Sequence, residues 1–305
     1  MKWRSGRRSR NVEDRRNQRA GTGLRFPFPG GFGGRAGRSI PKGKTGGLGL
    51  IVIVLLALFF GVNPLNFFEG QSPRELQHPP TQTQTGQPPA ATDEMSDFMS
   101  VVLADTEDTW KKIFSDAGRT YQEPKLVLFA GQVGSACGYA QAAMGPFYCP
   151  RDRKIYLDMS FFNELKHRFG APGDFAQAYV LAHEAGHHVQ NLLGILPKVE
   201  KARAQMDKRD ANAMTVRLEL QADCLAGIWA HHAHKQRQII EQGDVEEGLN
   251  AAAAIGDDRI QRQAQGYVVP DAFTHGSSEQ RVRWFRRGLQ SGDIRECDTF
   301  NADRL

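Results

Sequence analysis

Apolar residues run almost without interruption from Leu48 to Val62, inside an uncharged stretch (46–62) bounded by Lys44 and by Asn63-Pro64. About 17 such residues sit at the short end of what crosses a bilayer core. The run starts too far into the chain for a cleaved signal peptide and ends without a small-residue cleavage site, so the pattern predicts an uncleaved membrane anchor over 46–63. Residues 64–94 are rich in Pro, Gln and Thr and hold too few apolar positions to bury a core, which reads as a linker. Helical spacing begins near Met95, with Phe98, Val101, Val102, Trp110, Ile113 and Phe114 on one stripe as far as Gly118.

Two short apolar segments, 125–130 (KLVLFA) and 154–159, read as strands, and the turn residues Cys149-Pro150-Arg151-Asp152 suggest a hairpin-like approach between them. The period then changes. Residues 175–193 follow helical spacing, with Asp174 as N-cap, Gln177 three residues later and Gly194 ending the run. A charged helix is expected over 198–209 and a third over 213–235, carrying Leu218, Leu220, Ala222, Leu225, Ile228 and Trp229. The chain to 290 is largely helical apart from a break at 266–270. The expected fold class of 95–305 is α+β, helix-dominated, with a small β-sheet, preceded by one transmembrane helix.

Charge adds an orientation. The chain carries +5 overall, but residues 1–44 hold 13 Lys/Arg against Glu13 and Asp14, a net +11, which leaves −6 on 45–305. Residues 1–45 therefore read as a basic disordered tail, retained in the cytoplasm by the positive-inside rule, with the C-terminal domain extracytoplasmic, periplasmic in a Gram-negative cell. Such a tail also suits contact with nucleic acid or anionic lipid, but the acidic folded part gives no support to a nucleic-acid partner. Across the membrane the four cysteines can oxidise. Pairing Cys137 with Cys149 closes a short loop and leaves Cys224 with Cys297; free buried thiols are the competing reading, above all for Cys224.

The candidate chemistry lies on the first long helix of the domain, in His183-Glu184-Ala185-Gly186-His187. Residues i and i+4 share a helical face, so two imidazoles reach one cation while Glu184 points at its open coordination position. A further carboxylate is needed, and Glu219 and Asp223, again i and i+4, lie on the third helix. Polar groups within apolar helical runs need partners, and a shared metal supplies one to His183, His187 and Glu219 together. His188 is one residue off the ligand face. His231, His232 and His234 begin about 18 Å along the helix from Glu219, too far to join the same site.

These segments, HEAGHHVQ, ELQADCLAG and FTHGSSEQRVRWF, together with GPFYCPRDRKIYLDMSFF, resemble the bacterial neutral zinc metallopeptidases, a group of membrane-anchored metalloproteases, over about 95–300. HExxH followed by ExxxD more remotely resembles gluzincin peptidases of the prenyl-protein-protease and membrane heat-shock-peptidase type. The resemblance implies a zincin-like domain with Zn2+ held by His183, His187 and Glu219, Glu184 as general base, and Asp223 orienting a ligand histidine. It also suggests His275 as oxyanion donor, against a plain capping role for a loop histidine. Arg281 either orients Asp223 or faces solvent. In peptidases of this plan an edge strand before the active helix pairs with substrate, which nominates Tyr156 and Asp158 on the 154–159 strand, against an ordinary interior strand, which the sequence alone favours. The function expected is a membrane-anchored zinc endopeptidase acting on peptides or unfolded proteins; the alternative is a catalytically silent, metal-stabilised domain that tethers a partner. Retention of Glu184 separates the two, because a structural zinc site has no use for a base.

Overall fold

The computed structural model describes residues 1–17 and 92–305. The anchor expected at 46–63 and nearly all of the 64–94 linker lie outside the described residues. Among the described residues, no helix is long and apolar enough to cross a membrane. Helices dominate, beginning with α1 (Thr92–Asp116), whose buried face carries Phe98, Val101, Val102, Trp110 and Phe114 as the spacing requires.

The two expected strands form as β2 (Lys125–Phe129) and β6 (Lys154–Asp158), yet they are parallel neighbours and not a hairpin. The intervening chain makes a separate antiparallel pair, β3 (Gln132–Ser135) with β4 (Gly138–Gln141), and then a three-residue strand, β5 (Phe147–Cys149). The turn at 150–153 joins β5 to β6 antiparallel. With β1 (Val12–Asp14) the sheet order is β1-β2-β6-β5, so β6 is an interior strand and β5 an edge. Disulfides link Cys137 to Cys149 and Cys224 to Cys297. The first fastens β5 to the β3–β4 turn.

The start of the chain departs from the disordered tail. β1 pairs parallel with β2 from Val12 opposite Leu126 to Asp14 opposite Leu128, and Trp3 is buried in the main core. Glu13 lies 3.0 Å from Lys154 Nζ and 3.2 Å from Lys125 Nζ and also pairs with Arg15. Burial pushes its carboxyl up, but these three cations prevail and hold it at about 2, against an ordinary 4.5. Ionised Glu13 therefore stabilises the fold fully above pH 4.5, and the contribution fades as pH falls towards 2. Denaturant midpoints of wild type and Glu13→Gln are expected to differ at about pH 6 and to converge towards about pH 3; a gap that stays constant contradicts this.

After α2 (Phe161–His167) comes α3 (Asp174–Leu192), the helix of the HExxH segment. Asp174 is its first residue and not its cap. Gly173, at φ 118°, precedes it, and the Phe175 N–H donates to Glu247 Oε2 at 3.1 Å, a cap supplied from a distant helix. Then follow α4 (Ile195–Arg203) and α5 (Lys208–Arg237). The charged helix ends earlier and the third starts earlier than expected, because Asp207 caps α5 by accepting from the Asp210 N–H. The chain closes with α6 (Asp244–Ala254), α7 (Asp257–Gln265) and α8 (Ser278–Ser291).

Two close helix crossings position the site. A Cβ at Gly186 of α3 would stand 3.0 Å from the Ala222 carbonyl oxygen of α5, so this glycine lets the two backbones approach. Ala222 lies between Glu219 and Asp223, and the crossing carries both towards His183 and His187. On the other side of α5, a Cβ at Gly227 would meet the Phe285 carbonyl oxygen of α8 at 2.1 Å, and one at Gly288 would meet that of Cys224 at 1.9 Å. That contact brings Arg281 of α8 to Asp223.

Candidate metal centre and active-site cleft

Glu219 Oε2 lies 3.2 Å from His183 Nε2 and 3.4 Å from His187 Nε2, and one donor atom from each of the three side chains lies within 4.8 Å of the others. Nitrogen and oxygen donors placed tetrahedrally at zinc distances stand about 3.4 Å apart, so both contacts have the separations such an ion imposes. The outer hydrogen bonds agree. His183 Nδ1 is 2.8 Å from Asp223 Oδ1 and His187 Nδ1 is 2.9 Å from Gln190 Oε1, which assigns the proton of each ring to Nδ1 and turns the Nε2 lone pairs towards Glu219. Gln190 is itself fixed by donating to the Leu218 carbonyl at 2.7 Å. The donor set fits a zinc ion.

The surroundings favour positive charge. Burial opposes protonation of His183, but Asp223 and Glu219 outweigh it and raise its pKa to about 10. Burial likewise pushes Glu219 up, while His187 and His183 hold it well below the carboxylate range. A proton and a metal compete for the same Nε2 lone pair, so both shifts describe a cation site.

Asp223 is fully buried and is gripped from two sides. Arg281 donates to it twice, from Nε and Nη2, both at 2.9 Å, and the Tyr179 hydroxyl donates to Oδ1 at 2.5 Å. Arg281 is itself buried, also donates to the Ile255 carbonyl at 3.1 Å, and does not face solvent. Burial pushes Asp223 up, but Arg281 and His183 outweigh it and hold its carboxyl at about 2. Arg281 and Asp223 thus act on the cluster through His183. Tyr179, one turn before His183, was not singled out in the sequence; its spacing of four residues from His183 was the available sign.

A cleft of about 590 Å³ opens over the cluster, lined by His183, Glu184, His187, Glu219 and His275. Burial raises the Glu184 carboxyl above its ordinary range, with His187 and His183 acting in the opposite sense. His275 is half exposed in a loop before α8, whose cap is Ser277, so the capping role for His275 fails. Asp257 holds this loop: its Oδ2 accepts the N–H groups of Thr274 at 2.6 Å, His275 at 2.5 Å and Gly276 at 3.0 Å, and its Oδ1 lies 3.3 Å from His275 Nδ1. That leaves Nε2 of His275 for the cleft. Asp257 had no sequence signature beyond standing first on a helix.

The strand nominated for substrate is corrected. Tyr156 and Asp158 are buried on the interior strand β6; Tyr156 donates to Asp152 at 2.7 Å, and Asp158 accepts the N–H groups of Gly131 at 2.6 Å and Ser160 at 2.9 Å. Among the described residues, the sheet edge beside the cleft belongs to β5, whose Phe147 and Tyr148 line it. His188 ties β5 to α3. Its Nδ1 accepts from the Tyr148 hydroxyl at 2.9 Å, its Nε2 donates to the Gln122 carbonyl at 2.6 Å, and burial lowers its pKa to about 4. His231 and His232 bond to the backbone carbonyls of Leu289 and Gly292, away from the cluster.

The family model described as "Putative neutral zinc metallopeptidase" matches residues 1–300. A protein of Escherichia coli strain K12, "Uncharacterized protein YpfJ", is 50% identical over 300 residues, which span 98% of this chain and 99% of the relative. "Uncharacterized protein Rv2575" of Mycobacterium tuberculosis H37Rv is 48% identical over 195 residues, 61% of this chain and 65% of the relative. No solved structure matches the chain.

Proposed function

The chain belongs to the neutral zinc metallopeptidase family, and from that premise we propose that it is a zinc-dependent endopeptidase acting on extended or unfolded polypeptides. The observation that carries the reading is the convergence of His183, His187 and Glu219 to within 4.8 Å beneath a cleft that also holds Glu184. Bound there, zinc supplies the Lewis acidity that makes water nucleophilic near neutral pH and polarises a carbonyl. Glu184 takes the proton of the attacking water and returns it to the departing amine. His275, oriented by Asp257, donates to the oxyanion. The β5 edge offers backbone groups to an extended substrate, which aligns the scissile bond with Glu184. Two disulfides favour an oxidising compartment outside the cytoplasm, and the apolar run at 46–63 favours attachment to a membrane.

The test is hydrolysis of an unfolded polypeptide by the purified full chain, abolished by a zinc chelator and restored by added zinc. Activity that survives complete removal of metal defeats the proposal. His275→Ala is expected to lower kcat by about 10²-fold with KM little changed, and Asp257→Asn to lower it less. Equal loss in KM instead would make His275 a substrate-binding residue.

A further inference from the structure

The first sixteen residues are built into the same body as the metal centre. The Lys2 N–H donates to the Ile239 carbonyl at 2.8 Å, beyond the end of α5. Trp3 packs edge-on against Phe98 of α1, ring centres 5.2 Å apart. Ser9 N–H donates to the Ser100 carbonyl at 3.0 Å, Leu126 N–H to that of Asn11 at 2.8 Å, and Arg15 N–H to that of Leu128 at 2.8 Å. Basic residues that looked like a topology marker are used here: Arg8 pairs with Asp97 at 2.6 Å, and Arg7 with Glu107 and Asp108, each at 2.8 Å.

The rest of the domain is shaped to receive this segment. Glu107 of α1 is wholly buried, and its carboxylate is met by Ser9 Oγ at 2.6 Å, Asn11 Nδ2 at 2.8 Å and Arg7 Nη2 at 2.8 Å, all three from the segment. Taking the segment away would leave a buried carboxylate stripped of these partners, which is strongly unfavourable. It would also turn β2, whose Leu126, Val127 and Leu128 are fully buried, into a sheet edge. The family match extends over this segment as well as the metal centre.

We infer that residues 1–16 are a docked strap of the peptidase fold and share one side of any membrane with residues 92–305. A single span at 46–63, with the basic end in the cytoplasm and the domain outside it, would put a hydrocarbon layer of about 30 Å between groups that bond at 2.6–3.0 Å. Strap docking and that topology exclude each other within one molecule. Arg7 and Arg8 of the strap answer to Glu107, Asp108 and Asp97, so only the six Lys/Arg of residues 17–44 are left to bear on orientation.

The geometry gives a direct test. A Cβ at Gly6 would lie 3.8 Å from the Cβ of Val101, the separation found across disulfides. The full chain carrying Gly6→Cys and Val101→Cys is expressed in cells, treated with a membrane-permeant oxidant and mapped by mass spectrometry. In parallel, Ser5→Cys and Gln265→Cys, both at exposed positions, are labelled singly with an impermeant maleimide before and after lysis. The expected results are a 6–101 linked peptide in most chains and the same labelling pattern at 5 and 265. Labelling of one position in intact cells and of the other only after lysis would overturn the inference. Absence of the linked peptide would overturn it equally.

Discussion

Exchanging Glu184 for glutamine is expected to lower peptide hydrolysis by a factor of about 10²–10⁴, the usual worth of a positioned general base. Thermal stability and zinc content should stay near wild type. The amide fills the same volume, and Glu184 is not among the three clustered donors. What it loses is the ability to accept the proton of the attacking water. Steady-state kinetics beside metal analysis checks both halves. Full activity in the zinc-loaded variant would remove Glu184 from the chemistry, and lost activity together with lost zinc would make it part of the metal site.

Replacing Arg281 with leucine should destabilise the fold by about 3–5 kcal/mol, because it takes the guanidinium from a fully buried carboxylate. Asp223 keeps Tyr179 and His183 as partners, but it loses both guanidinium bonds. A second variant separates stability from function. Arg281→Leu combined with Asp223→Leu removes the whole ion pair, and much of the lost stability should return. Zinc affinity should not return, because His183 Nδ1 has lost its acceptor, a change worth about 10–100-fold. Chemical denaturation and metal competition measure the two quantities independently. If restoring stability also restored affinity, Asp223 would be a structural anchor with no hold on the metal.

The HExxH and ExxxD segments could be read without coordinates because an i, i+4 spacing on a helix determines which side chains share a face. The approach of the two helices could not. It depends on Gly186 against Ala222, and in the sequence that glycine is only an unspecified position inside the motif. The sequence leaves Arg281 with two readings for a similar reason, since the crossing at Gly227 and Gly288 that buries it joins residues far apart in the chain. The interior reading of β6 holds, and the substrate-edge reading fails because the actual edge is three residues, FYC, hidden between Pro146 and Pro150, too short to stand out as a strand. Parallel pairing of β2 with β6 leaves no local sign, and the turn at 150–153 belonged to β5. The strap was invisible to hydropathy. Its order comes mainly from Arg7, Arg8, Ser9 and Asn11 meeting carboxylates on α1 and beyond, with Trp3 buried and Met1 and Val12 packed against the same core.

Metal analysis of the full chain and of Glu219→Gln bears most directly on the account, since all of the chemistry begins with three side chains sharing one ion. Wild type is expected to hold about one zinc per chain, with X-ray absorption showing two imidazoles and a carboxylate oxygen, and the variant to lose most of it. A variant that keeps its zinc in an unchanged coordination shell, or a wild type that never takes up the metal, would contradict the account.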